Sequence, residues 1–333
     1  MPRRIRYDAW SPADGRVSRP GGVRSWTSPW CEPGFVIDDL VASWAATTPR
    51  GSWIEVSTQA PDDGTWHSLG RWASGRRPAH RTSIGGDPEV DTDVWRPTGG
   101  ADAYRLRVAL HPSPAGRAPT LTRIGAVVSS GAVRATTSRP AGVERLLDVP
   151  RLSQMRWSEV GGTGWCSPTA VSMVLAHLGR LPPGTDTEPA DVPAAAHAVF
   201  DRAYDGTGNW SFNTAWAASV ADRAFVTRLH DLRDAEAFLE AGIPLVASLA
   251  YGPGALPGAP TRATDGHLLV IRGFTAAGDV VANDPAAPSE RSVRRTYDRA
   301  GFERAWLDGA GGLVYVIHRD DQVLPALVRG EVR

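Results

Sequence analysis

From Val36 to about Val128, apolar and polar residues alternate in short runs: "FVIDDLVASWAA", "GSWIEVSTQA", "TWHSLGRWA", "TDVWRP", "AYRLRVAL" and "TRIGAVVS". Pro, Gly and Asp turn signals such as "TTPRG" and "APDDG" separate them. A period of two sends alternate side chains to opposite faces of a strand, and several such strands at this spacing predict an antiparallel β-sandwich. Eight of the 13 tryptophans precede residue 100, among them Trp44, Trp53, Trp66, Trp72 and Trp95. Such rings either fill the core between two sheets or form an aromatic platform for sugar rings, and the large area each one buries favours the core.

Residues 131–147, "GAVRATTSRPAGVERLL", have no clear period and read as a linker. The expected layout is therefore an all-β sandwich over 1–130, the linker 131–147, a second domain over 148–320 and a tail, 321–333. With 42% hydrophobic and 22% charged residues among 333, the chain has apolar material for two ordinary domains.

After the linker the pattern changes. "SPTAVSMVLAHLG" carries Val171, Val174, Leu175 and Leu178 at helical spacing, with Gly179 placed to end the helix. "ADVPAAAHAVFDRAYD", "FNTAWAASVADR" and "DLRDAEAFLEAG" are further helix candidates. "IPLVASLAY", "HLLVIRGF", "DVVAND" and "GLVYVIHR" read as strands. Helices first and strands later predict an α+β domain with a mainly antiparallel sheet.

Cys166 is one of only two cysteines, and Pro168 just after it suits the first turn of a helix, where its missing N–H costs nothing. The unpaired N–H groups and positive dipole end at a helix start stabilise a thiolate. A nucleophile fits there, and so does a small buried cysteine. A base is available in "TDGHLLVIRGFTAAGDVVANDPAA". If its two strands form a hairpin, His267 at the start of the first and Asp284 at the end of the second meet at one sheet edge. A turn centred near Ala276 and Ala277 sets Asp284 opposite about Leu269, on the same face as His267, and a slip of one residue would reverse that. In the predicted register, the three side chains make a nucleophile, a base and a group that orients the base.

His177 near a helix C-terminus, His197 within a helix and His67, His80 and His111 in the sandwich lack comparable surroundings, and no His/Cys spacing reads as a zinc site. Cys31, in "SPWCEPG", has no activating neighbour and reads as a loop thiol. Equal numbers of basic and acidic side chains, 36 each, give no summed field that would favour nucleic acid or an acidic membrane. The basic start "MPRRIRYDAW" runs into polar sequence without a signal peptide's apolar core, so the chain as written reads as cytoplasmic, with export open if the N-terminus is incomplete. No run approaches the roughly 20 apolar residues of a membrane span.

At these motifs the chain resembles the C39-like cysteine peptidases, a papain-fold group. Their pattern is a Gln upstream of a Trp/Asp-Cys-Gly/Ser-Pro-Thr helix start, then Gly-His leading an apolar strand, then Asn/Asp-Asp-Pro-Ala. Here it reads Gln154, "WCSPTAVSMVL", "DGHLLVIRGF" and "VANDPAA", within residues 148–320. The resemblance implies a papain-like α+β domain with Cys166 as nucleophile, His267 as general base and acid, and Asp284 orienting His267. Gln154 would supply an oxyanion donor beside the Cys166 N–H. Peptide or protein would be the substrate, and no metal or organic cofactor would be needed.

Ser167 stands where many members carry Gly, and "GGTGW" is not a P-loop, since no Gly-Lys-Ser/Thr follows. Trp165, Asn209, Trp210 and Asn213 are candidate cleft-wall residues. The front region resembles an accessory region found beside such peptidase domains, with a glycan or protein as its candidate ligand. Two rival readings remain: an acyltransferase or transglutaminase-like enzyme using the same thiol, and an inactive binding protein.

Overall fold

The computed structural model describes residues 3–61, 64–131, 136–182, 184 and 190–326. Ten strands come first: β1 Arg4–Trp10, β2 Arg16–Ser18, β3 Arg24–Thr27, β4 Asp39–Thr47, β5 Trp53–Gln59, β6 His67–Trp72, β7 Val90–Asp91, β8 Val94–Trp95, β9 Arg105–His111 and β10 Thr120–Ser130. They form two five-stranded sheets, ordered β1-β10-β4-β8-β7 and β2-β3-β9-β5-β6. The pairings within both are antiparallel. In β9 the alternation is clean, with Leu106, Val108 and Leu110 buried between half-buried neighbours. Those residues join Trp26, Trp44, Trp72 and Trp95 in one apolar cluster.

Three strands, β1 to β3, precede the point where the alternation in the sequence becomes visible. Charges obscure β1. Asp8 is buried there, accepts from Arg6 Nε and Nη2, each at 2.9 Å, and accepts from Tyr104 Oη at 3.3 Å. Trp44, Trp72 and Trp95 are buried, so these rings serve the core and offer no platform to a sugar. Trp53 is stacked on His111 at 3.6 Å between centroids, and Arg107 covers Trp66 at 4.2 Å.

The C-terminal half contains α1 Cys166–His177, α2 Val192–Val199, α3 Trp210–Val220, β11 Arg223–Arg228, α4 Leu232–Glu240, β12 Leu245–Tyr251, β13 Thr264–Phe274, β14 Val280–Asn283, β15 Arg294–Tyr297, α5 Arg299–Glu303 and β16 Leu313–His318. The strands form one six-stranded antiparallel sheet, ordered β11-β16-β12-β13-β14-β15. Gly179, at φ 70°, lets α1 end in a Schellman turn: its N–H reaches Ala176 O, and Arg180 N–H reaches Leu175 O at 2.8 Å.

The order of elements departs from helices first and strands later, because β11 lies between α3 and α4. Helix α2 stops at Val199, short of the predicted span. Asp201 then takes over, its Oδ1 accepting Ser83 N–H at 2.9 Å and Ala203 N–H at 3.1 Å, which folds "DRAYDG" into a turn.

The predicted linker is no loose tether where it is described. Ser138 N–H donates to Glu303 at 2.8 Å, Ala141 N–H to Glu236 at 2.7 Å, and Leu147 N–H to Arg272 O at 2.8 Å. This strap lies so close to β13 that a Cβ on Gly273 would sit 2.2 Å from Arg145 O. Residues 132–135 of the linker and 327–333 of the tail lie outside the described residues.

The two halves share apolar packing. Phe212 of α3 lies 6.2 Å from Trp44 and 5.5 Å from Trp72. Tyr7 stacks on Phe225 at 4.6 Å, and Tyr7, Val41, Val94 and Val127 belong to the same cluster as the C-terminal sheet. Ser211 Oγ donates to Ala42 O at 2.7 Å. The front sheets therefore hold α3, and α3 begins at the candidate site.

Candidate active site

Cys166 is the first residue of α1 and Pro168 its third, within the first turn as expected. Its thiol is partly exposed and its hydrogen-bond partner is the His267 imidazole. Val270 pairs with Asn283 across the β13–β14 hairpin, which puts Asp284 just beyond β14 and across from Leu269. His267 Nε2 lies 2.8 Å from Asp284 Oδ1. With Nε2 held by the carboxylate, Nδ1 is the ring nitrogen left for the thiol. Cys166, His267 and Asp284 are thus brought together.

Asp284 is fully buried, so its charge must be matched within the protein. Ala286 N–H donates to Oδ1 at 3.0 Å and Tyr297 Oη donates to Oδ2 at 2.8 Å. Tyr297 lies on β15, whose sequence "RRTY" carries no motif; the only local signal is an aromatic residue ending a short run after the Asp-Pro turn.

Burial disfavours the imidazolium, but the adjacent Asp284 charge and hydrogen bond, with the thiol's help, outweigh it and push His267 up to about 10. Burial likewise opposes ionisation of Cys166, and it is overcome by the His267 hydrogen bond and charge and by the N–H groups of Leu268 and Ser167, so the thiol sits below its ordinary value. Asp284 is lowered too, since the His267 charge and the Tyr297 and Ala286 donors exceed its burial penalty. The three shifts all run in the direction that favours a thiolate–imidazolium pair backed by a carboxylate.

Gln154 is buried beside this pair. Its Nε2 donates to Thr163 O at 2.6 Å, which fixes the amide and leaves its second N–H unspoken for by that bond. Its own N–H donates to Pro285 O at 2.9 Å, tying it to the segment that carries Asp284. The glycines before Cys166 make this approach feasible: a Cβ on Gly162 would meet Gln154 O at 2.5 Å.

A cleft of about 790 Å³ opens over Cys166, Gln154 and His267. Asn209 and Trp210 line it, as expected. Asn209 also caps α3, accepting Phe212 N–H at 2.9 Å, and donates to Asp201 at 2.8 Å. Trp165 and Asn213 do not line it. Trp165 is buried in the C-terminal apolar cluster, and Asn213 is fully buried, donating to Thr207 O and Asn209 O at 2.8 and 2.7 Å.

The β7–β8 hairpin of the N-terminal half also reaches the cleft, and neither the alternation nor any motif pointed to this. Asp93 Oδ2 accepts the N–H groups of Trp210 and Ser211 at 2.6 and 3.0 Å, and burial, only partly offset by these donors, pushes Asp93 up to about 7. Cys31 is buried rather than a loop thiol: its Sγ donates to Asp8 at 2.8 Å, and burial with that carboxylate pushes it up to about 12.

Among the described residues, no group of three or more His, Cys, Asp or Glu side chains is placed to hold a metal ion, and no helix is long and apolar enough to cross a membrane. Chemically, the arrangement presents a sulfur nucleophile, a proton carrier and hydrogen-bond donors to one open cleft.

Known families supply the class to which this arrangement belongs. Residues 146–311 match the Peptidase_C39 like family, and residues 12–129 match the Peptidase C39 N-terminal domain. No curated protein matches the chain. The chain belongs to the C39-like peptidases and carries the N-terminal domain that accompanies them.

Proposed function

We propose that the chain is a cysteine peptidase: a papain-like catalytic domain over 148–320 behind a β-sandwich over 1–130, joined by the strap 131–147. The observation that carries this reading is the buried His267–Asp284 contact of 2.8 Å beside a partly exposed helix-start thiol. Family membership supports a peptide or protein as substrate.

In this reading the Cys166 thiolate bonds to the carbonyl carbon, and the carbonyl electron pair moves onto oxygen. The free Nε2–H of Gln154 and the N–H of Cys166, which has no acceptor one turn back in its own helix, face that oxyanion. His267 gives its Nδ1 proton to the amine nitrogen as the C–N bond breaks, leaving a thioester. The neutral imidazole then takes a proton from water, whose oxygen attacks the thioester and expels the thiolate. Asp284 and Tyr297 keep the ring oriented throughout.

The test is a peptide mixture incubated with wild type and with Cys166→Ala, read by mass spectrometry with and without added hydroxylamine. New peptides ending in free carboxylates from the wild type alone support a peptidase. Hydroxamate ends in the hydroxylamine sample would report the thioester; peptides joined to other amines in place of free carboxylate ends, without hydroxylamine, would shift the reading to acyl transfer, and identical product sets from the two proteins would remove it.

A further inference from the structure

The cleft is built from both halves of the chain, and the ionisable groups on its rim are unbalanced. Asp91 comes from the β7–β8 hairpin, Asp205 from the turn before α3 and Asp265 from the start of β13. The lining guanidinium opposing these three carboxylates is Arg96, which pairs with Asp91 at 2.9 Å while both side chains stay more than half exposed. Such an exposed pair is weak, so an incoming cation can take the carboxylate. Asp93 is not available to a ligand, because its carboxylate is engaged by the start of α3. The Cys166–His267 pair adds no net charge, whichever atom carries the proton.

Two further features point to a bound peptide. Tyr204, 52% exposed, lines the same cleft and offers a ring face of the kind that attracts a cation. Gln154 Oε1, in a side chain only 3% exposed, has no hydrogen-bond partner within the described protein, an unfilled acceptor beside the nucleophile.

We infer that the cleft selects peptides carrying a cationic side chain beside the bond that Cys166 attacks, with Asp91 of the N-terminal half and Asp205 as the selecting carboxylates. The front region is then part of the substrate site and not a separately acting module. This rests on the cleft being that of a thiol peptidase. Asp205 has φ 51°, a conformation Asn also accepts, so Asp205→Asn removes charge without straining the backbone.

The experiment uses the full chain and three acyloxymethyl ketone probes, acetyl-Ala-X with X as Lys, Leu or Glu next to the ketone, each scored by the second-order rate of Cys166 modification. Lys should react fastest and Glu slowest. Asp91→Asn and Asp205→Asn should each slow the Lys probe about fivefold, and the double variant about twenty-fold, as expected for single charges a few ångströms from the ligand. Asp321→Asn, an exposed carboxylate outside the cleft, should keep the wild-type order. Equal rates for the three probes, or an unchanged order in the double variant, would overturn the inference. Iodoacetamide on the wild type separates the two levels: if it labels Cys166 no faster than an ordinary thiol, the thiol-peptidase reading itself fails, and the selectivity with it.

Discussion

Replacing Asp284 by Asn removes one charge while keeping most of the local geometry. Oδ1 still accepts from His267 Nε2 and from Ala286 N–H, and the Tyr297 hydroxyl can turn to accept from the new amide. What disappears is the charge that holds His267 at about 10 against burial, which acts in the opposite direction. The net rise from the ordinary value of 6.5 to about 10 is a factor on the order of 10³ in favour of the imidazolium, and it is what remains after burial has been overcome.

The thiolate depends on that imidazolium, since burial alone would keep Cys166 protonated. Alkylation of Cys166 by iodoacetamide at pH 6 should therefore fall by at least about tenfold in the variant. The sign of the stability effect follows from the same shifts. Raised His267 contributes fully below about 6.5, and its contribution is lost as pH rises through about 10; lowered Asp284 contributes above about 4 and loses its contribution as pH falls through its folded value. Wild type and variant should differ most in urea midpoint between about pH 4 and 6.5, and converge in alkali. Unchanged alkylation at pH 6 with a folded variant would refute the claim that the carboxylate sustains the ion pair.

Tyr297→Phe leaves a buried charged oxygen without its hydroxyl donor and should cost about 1.5–3 kcal/mol in urea unfolding; an unchanged midpoint would count against the assigned hydrogen bond. Gly162→Ala forces a Cβ against the backbone of Gln154 and Trp157, so a loss of about 1–3 kcal/mol in thermal unfolding is expected. Gln154→Ala should lower peptide turnover by about 10²–10³ while Cys166 still alkylates, because alkylation develops no oxyanion; turnover within twofold of wild type would exclude Gln154 as a donor.

The sequence carried the site's chemistry better than its walls. Cys166, His267 and Asp284 were legible because each is marked locally, by a proline in a first helical turn, an apolar run and an Asp-Pro turn; β13 in fact begins at Thr264, three residues before His267, and a bulge between Ile271 and Gly273, not turn length alone, sets Asp284 across from Leu269. The candidate walls were not, since a residue at a helix start can face either way. Asn209 and Trp210 line the cleft, whereas Trp165 and Asn213, equally polar or aromatic in context, turned into the core.

"TDVWRP" marked β8 as part of the alternation, but the reach of the β7–β8 hairpin to the cleft was invisible, because it depends on contacts with the start of α3, far away in the chain. β1 was hidden by Arg6 and Asp8, whose charges compensate one another only after folding. Neither the strap over β13 nor the packing of Phe212 among tryptophans of the other half has a local signature, because both depend on contacts between residues far apart in the chain.

The most direct measurement is iodoacetamide labelling of wild type and His267→Ala from pH 4 to 9, with Cys166 and Cys31 scored separately by mass spectrometry. The account predicts that Cys166 labels well below the pH at which an ordinary thiol reacts, that His267→Ala abolishes this advantage, and that Cys31, pushed up to about 12, stays inert throughout. Labelling of Cys166 that follows an ordinary thiol's titration, or that is indifferent to the loss of His267, would contradict the account.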